Sequence, residues 1–213
     1  MSIPIITVSS HPDLANGLLN SAHSKGWETH LIRVDWKGFG TKLLATYNFL
    51  LENPLVEHFV FADAHDVIVL GTPEEFESKL PNDDMLLSAE KGLWPPPLHP
   101  FKSKYFQHEH GFNYINSGLY YSKSSAFITL IEEFRPFYEI DDQMWLNLAW
   151  MLTDNVVMGI DCKQRLFNSH SFIADGEYIY HHDTKRIEIM GNFPIFVHKN
   201  GRTIDEKLDN MLR

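Results

Sequence analysis

The stretch Phe59-Val60-Phe61-Ala62-Asp63-Ala64-His65-Asp66-Val67-Ile68-Val69-Leu70 sets two carboxylates between two apolar runs. The apolar residues read as a buried strand, and the acidic ones appear where the chain leaves the core. Two Asp three positions apart at a strand end can grip one hard cation and leave its other positions open. A cation held that way suits a diphosphate, whose charge it neutralises as a leaving group departs. Asp at strand ends is also common turn and cap chemistry, so the pair gains its meaning from the rest of the chain.

Upstream, Pro4-Ile5-Ile6-Thr7-Val8 reads as a buried strand that exits through Ser9-Ser10. Leu14, Leu18, Leu19 and Ala22 then share one helical face, with Gly26 suited to the cap. Thr29 to Val34 is a second strand, and Leu43, Leu44, Tyr47, Leu50 and Leu51 mark a second helix that stops near Pro54. Downstream, Thr72-Pro73-Glu74-Glu75 has the hydroxyl cap, first-turn Pro and acidic residues of a helix start. Met85 to Ala89 follows as another strand. This βαβα rhythm implies parallel strands with crossover helices. Ligands in such sheets bind at the carboxyl ends of strands, where Ser9-Ser10, Asp63-Asp66 and Ala89-Glu90 all fall.

The second half has a different pattern. Lys91 to Phe112 carries Pro and His without periodicity, and a loop of that length reads as a functional lid or a disordered segment. Tyr114 to Tyr121 looks like a strand, Phe127 to Phe137 like a helix, and Asp141-Asp142-Gln143 opens a further helix reaching about Met151. A hairpin of Tyr178 to Tyr180 and Ile187 to Ile189, a strand Pro194 to His198 and a short terminal helix complete the chain.

At 213 residues, 44% hydrophobic and 22% charged, the chain fits one globular domain. Its formal net charge of −10 argues against a general nucleic-acid binder, which would present a basic face. Cys162 is the single cysteine, so no internal disulfide forms. Met1-Ser2-Ile3-Pro4 lacks the basic start and apolar core of a secretory signal, and no apolar run is long enough to span a bilayer. A cytoplasmic setting without membrane attachment is therefore expected.

Val197-His198-Lys199-Asn200-Gly201-Arg202 is the second informative segment. His198 ends an apolar strand, as the Asp pair does. The Asn200-Gly201 turn offers amides to phosphate oxygens, or is simply a turn. Lys199 or Arg202 would add a cation beside a diphosphate. Asp63, Asp66 and His198 would supply three ligands, and the nitrogen favours manganese over magnesium. Tetrahedral zinc fits less well, because the chain has neither a Cys pair nor His-x-x-x-His. Asp141-Asp142 caps a helix, and one of the two is in excess of capping. Gly118 inside a strand marks a close approach. Trp94, before Pro95-Pro96-Pro97, could close over a sugar face or equally staple the loop to the core; Trp36 and Lys42 suit base stacking and phosphate pairing.

Asp63-x-x-Asp66, Ser88-Ala89-Glu90, Trp94-Pro95, Tyr114-Ile115-Asn116-Ser117-Gly118, Asp141-Asp142-Gln143, Asp161-x-Lys163-x-Arg165-x-Phe167 and Pro194-x-x-Val197-His198-x-Asn200-Gly201 occur in this order. Together they resemble the glycosyltransferase domain of the procollagen lysyl hydroxylases (the PLOD-like family). The resemblance implies an α/β GT-A fold, a Rossmann-like nucleotide-diphospho-sugar transferase domain with a mixed central sheet, here as one domain over residues 1–213. It implies a hexose moved from a UDP-sugar donor to a hydroxyl acceptor, with manganese, or magnesium, as cofactor. Asp63, Asp66 and His198 match its metal ligands. Val8, Ser10, Trp36, Lys42, Asn200, Gly201 and, beside them, Arg202 fall where it holds the nucleotide. His65 replaces an aromatic residue that packs there. Asp141, Asp142, Asn116, Trp94 and Glu90 match catalytic or sugar-pocket positions. The acceptor class stays open among a glycan, a protein and a modified base, and a collagen acceptor is not implied without the hydroxylase domains. A short form of this domain would suit a bacterium, virus or phage. A UDP-sugar hydrolase or phosphoesterase on the same metal site, and a catalytically silent nucleotide-sugar binding module, are the alternative readings.

Overall fold

A computed structural model describes residues 3–174 and 176–201. The chain runs β1 (Ile5–Ser9), a 3-10 turn (Pro12–Ala15), α1 (Asn16–Ser24), β2 (Thr29–Arg33), α2 (Gly40–Glu52), β3 (His58–Ala62), β4 (Val67–Val69), α3 (Pro73–Lys79) and β5 (Met85–Glu90). A long 3-10 stretch (Pro96–Lys104) precedes β6 (Tyr114–Lys123), α4 (Ser124–Phe134) and α5 (Asp142–Leu152). The remaining strands are β7 (Met158–Asp161), β8 (Phe167–Ser169), β9 (Tyr178–His181), β10 (Arg186–Ile189) and β11 (Phe196–His198). Among the described residues no helix is long and apolar enough to cross a membrane.

The central sheet has the order β2-β1-β3-β6-β5-β7. The first three strands run parallel, as the βαβα rhythm implies, but β6 lies antiparallel to both β3 and β5. The sheet is therefore mixed. Period-2 alternation feeds two cores. Phe59 and Phe61 pack on one face with Tyr120 and Phe127, while Val60 and Ala62 face the other with Leu18, Trp27 and Phe76. Phe61 stacks on Tyr120 at 5.0 Å, and Phe59 meets Phe127 edge-on at 5.6 Å.

Several elements depart from the expected pattern. Leu14 lies in the 3-10 turn and is exposed, so the core face of α1 is Leu18 and Ala22. In α2 the buried face is Lys42, Leu43, Thr46 and Leu50, and Leu51 points to solvent. The Lys91–Phe112 segment is docked rather than loose. Leu98 and Tyr105 are buried in the core, and the Tyr105 hydroxyl donates to Asn147 Oδ1 on α5. Strands β7 and β8 carry no alternation that marks them. The expected terminal helix and Arg202 lie outside the described residues.

A second, three-stranded sheet has the order β4-β11-β8. Its register builds the site. His198 pairs opposite Val67, the residue after Asp66, and opposite Ser169 on β8. The Lys199 amide donates to the Asp66 carbonyl at 2.8 Å, and the Asp63 amide to the Gly118 carbonyl on β6 at 2.8 Å. The ends of β3 and β11 and the start of β4 are thus tied together through backbone bonds before any side chain is considered.

Candidate active site

Asp63, Asp66 and His198 converge, with one ligand atom of each within 4.8 Å of the others. His198 Nε2 lies 3.2 Å from Asp66 Oδ1 and 3.7 Å from Asp63 Oδ2. The other ring nitrogen fixes the tautomer. The Gly118 amide donates to Asn116 Oδ1 at 3.0 Å, so that atom is an acceptor, and His198 Nδ1 must donate to it at 3.0 Å. In neutral His198 the Nε2 lone pair then faces both carboxylates, as a metal-ligating imidazole requires. The donor set of two carboxylates and an oriented imidazole fits a divalent cation such as manganese.

Burial of His198 would lower its pKa, but Asp66 and then Asp63 outweigh that and raise it. Burial likewise would raise the Asp66 carboxyl, while His198 pulls it below the ordinary carboxylate range. Both effects follow from like and unlike charges held close in a site of low solvent access.

Lys42 enters from the first turn of α2. Gly40 permits this, because a Cβ there would stand 2.0 Å from the Phe137 carbonyl oxygen, and its amide donates to Tyr138 O at 3.0 Å. The α2 start therefore lies directly against the chain leading into α5. Lys42 Nζ sits 2.6 Å from Asp142 Oδ2 and 2.8 Å from Asp63 Oδ1. Burial would depress the Lys42 pKa, but the two carboxylates raise it well above its ordinary value, so the ammonium persists. Asp142 is pushed upward mainly by burial, with Asp63 and Asp141 adding and Lys42 opposing. Lys42, expected beside a phosphate, here links one candidate metal ligand to the acidic pair at α5.

The acidic pair divides its work. Asp141 is the N-cap of α5, its Oδ1 accepting from the Met144 amide at 2.7 Å. Asp142 turns into the cleft. Gln143, quoted above only as part of a motif, is a hub. Its Nε2 donates to Glu90 Oε1 at 2.6 Å and to the Trp94 carbonyl at 3.1 Å. Its Oε1 accepts from Asn116 Nδ2 at 3.3 Å and the Ser117 amide at 3.2 Å. Glu90 Oε2 accepts from Asn200 Nδ2 at 2.7 Å, and Asn200 Oδ1 from the Ser171 amide at 2.9 Å. Burial raises the Glu90 pKa, against the pull of these donors. A continuous network thus runs from His198 to the Asn200-Gly201 turn.

These groups open on a cleft of about 700 Å³. It is lined by Lys42, Asp63, Asp66, Glu90, Trp94, Asn116, Asp141, Asp142, His198, Asn200 and Gly201 among the expected residues. Gly118, Gln143, Phe39, Gly92 and Phe172 line it too, and no spacing in the sequence singles out the last three. Val8, Ser10, Trp36 and His65 are not in the lining. Val8 is buried in the core, the Ser10 hydroxyl bonds His11, and His65 bonds Ser9 Oγ at 2.8 Å. Trp36 is exposed and meets the cleft residue Phe39 edge-on at 5.7 Å. Asp161 of the quoted Asp161-x-Lys163-x-Arg165-x-Phe167 pattern is structural, accepting from the Arg165, Leu166 and Phe167 amides. Burial, with Asp161 adding, pushes the Cys162 thiol up to about 11, so it stays protonated.

The PLOD GT domain model matches residues 42–212, from Lys42 in the ion pair through the His198 strand and beyond. The chain belongs to that family. The multifunctional procollagen lysine hydroxylase and glycosyltransferase LH3 of Homo sapiens is 26% identical over 153 residues, 68% of this chain. The chain spans about a fifth of the length of the curated relatives it matches, human LH3 and that of Pongo abelii. Two solved structures share the fold. A glycosyltransferase involved in glycosylation of the major capsid of PBCV-1 superposes with TM-score 0.57 at 14% identity, covering 99% of this chain and 98% of the other. The galactosyltransferase LgtC, in complex with donor and acceptor sugar analogs, gives TM-score 0.55 at 13% identity, with 99% and 95% covered. The fold is GT-A, as expected of a PLOD GT domain.

Proposed function

We propose that this PLOD GT domain is a divalent-metal-dependent glycosyltransferase that moves a hexose from a UDP-sugar to a hydroxyl acceptor. The observation that carries this reading is the convergence of Asp63, Asp66 and a tautomer-fixed His198 at the floor of the cleft. Asp63, Asp66 and His198 would hold manganese or magnesium, whose chemistry is to neutralise charge on a departing diphosphate. Lys42 keeps Asp63 and Asp142 at fixed separation. Asp142 orients the donor sugar or accepts the acceptor hydroxyl proton. Asn116 and Glu90 act through the Gln143 network that holds the floor rigid. Trp94, 58% exposed at the rim, covers the sugar, and Asn200 and Gly201 present the turn to the diphosphate. Trp36, with Val8, Ser10 and His65 of the same expected nucleotide set, would receive uridine beyond the cleft edge.

The reading is tested by product analysis with UDP-glucose and UDP-galactose. Asp142→Asn should lower transfer by about 100-fold, since it removes a charge held at the reacting centre. Asp141→Asn should keep the rate, because Asn caps a helix as well as Asp does. Equal rates for wild type and Asp142→Asn would refute the catalytic assignment. Free sugar released at full speed without acceptor would point to a hydrolase instead.

A further inference from the structure

Among the described residues five non-glycine positions have positive φ: Arg135, Gln164, Phe172, Lys185 and Met190. A bulky side chain there is strained, and such strain persists only where its surroundings over-determine it. Four of the five have structural reasons. Arg135 is the C-cap of α4, Lys185 lies in the β9–β10 turn, and Met190 sits in the Ile189–Asn192 turn. Gln164 is buried and its amide donates to the Ala89 and Asp161 carbonyls.

Phe172 also lies in a turn, but unlike the other four it lines the cleft. Its φ is 61°, and the residue is 74% exposed at the cleft. Its neighbours fix its backbone. The Ser171 amide bonds Asn200 Oδ1, the His170 amide bonds the His198 carbonyl, and Ile173 packs against Ala89, Phe112 and Ile189. The ring lies so close to Gly92 that a Cβ there would stand 3.0 Å from its Cε2. Two residues further on, Trp94 exposes its own ring to the same cleft.

We propose that Phe172 is an acceptor-binding platform that, facing the same cleft as Trp94, receives the apolar face of a neutral saccharide. A pyranose shows one face of C–H bonds that stacks on an aromatic ring, while its hydroxyls stay hydrated at the rim. An acidic acceptor would find no unpaired lysine or arginine among the described lining residues, since Lys42, the one residue of either type there, is bonded to Asp63 and Asp142. The inference deepens the proposed transferase reading and rests on it.

Phe172→Gly tests this directly, because glycine adopts positive φ without strain. Its melting temperature should be no lower than wild type. Saturable binding of lactose, N-acetyllactosamine or maltose, followed by tryptophan fluorescence with chelator present, should weaken roughly five- to tenfold, with Phe172→Tyr restoring it. Unchanged saccharide affinity in Phe172→Gly overturns the proposal. So does binding of a Gly-Pro-hydroxylysine peptide with none of the three saccharides. Calorimetry of UDP with manganese separates the two readings. UDP bound equally by both variants alongside unaltered saccharide binding removes the platform alone, and UDP bound by neither removes the donor reading.

Discussion

Replacing Gly118 by Ala is expected to weaken manganese-dependent UDP binding by about 10- to 100-fold, the usual cost of disturbing groups that orient metal ligands. A Cβ at position 118 would stand 2.1 Å from His198 Cε1, 2.6 Å from Nδ1 and 2.8 Å from Asp63 Oδ2. No real Cβ tolerates such contacts, so the imidazole must swing or β6 must shift. Either movement breaks the Nδ1 bond to Asn116 that sets the tautomer. The Gly118 backbone is not in the left-handed region, so the effect is purely one of space. Overpacking of this kind also costs about 1–3 kcal/mol of stability. Isothermal titration with manganese and UDP, alongside a melting curve, checks both parts. Wild-type affinity in Gly118→Ala would mean that His198 does not sit where the register puts it.

The second large effect is at Lys42. Lys42→Met keeps the stem and removes the charge, leaving Asp142 and Asp63 to face each other. The Lys42 and Asp142 side chains are 9% and 8% exposed, and Asp63 is 24% exposed. Breaking one partner out of a buried pair costs about 3–5 kcal/mol, because the remaining charge is buried without compensation. Urea unfolding of metal-free protein should show a loss of that order. Added manganese should stabilise Lys42→Met more than wild type, since a cation bound beside Asp63 replaces part of the lost charge. A loss below about 1 kcal/mol, the range of surface pairs, would show that the bridge is solvated and carries no structural role.

The three candidate ligands were legible because each stands where an apolar run ends. Phe59 to Phe61, Val67 to Leu70 and Phe196-Val197 announce strands, and Asp63, Asp66 and His198 are the first polar groups beyond or before them. The antiparallel β6 was hidden from the local pattern, since an inserted strand has the same alternation whichever way it runs; only the family resemblance implied a mixed sheet. β8 was missed because three residues, Phe167 to Ser169, are too short to show a period. Which of Asp141 and Asp142 caps the helix depends on a backbone turn that adjacent identical residues do not encode. The fate of Lys42 was equally hidden. A lysine flanking a Gly-containing loop suits phosphate, and its capture by two carboxylates arises only once Gly40 brings α2 against residues 137 and 138. Phe39 and Phe172 became site residues through tertiary placement alone.

The central claim is that Asp63, Asp66 and neutral His198 hold a divalent cation that makes the cleft a UDP site. Its most direct test is calorimetric titration of UDP with manganese and with excess chelator, at about pH 7.5 and about pH 5.5, on either side of the ordinary imidazole value. The metal needs the unprotonated Nε2, and Asp66 raises the pKa of metal-free His198, so protons compete from above that value downward. The account predicts UDP binding with manganese at the higher pH, marked weakening at the lower, and none with chelator. UDP binding that ignores chelator and pH, or no binding in any condition, would contradict it.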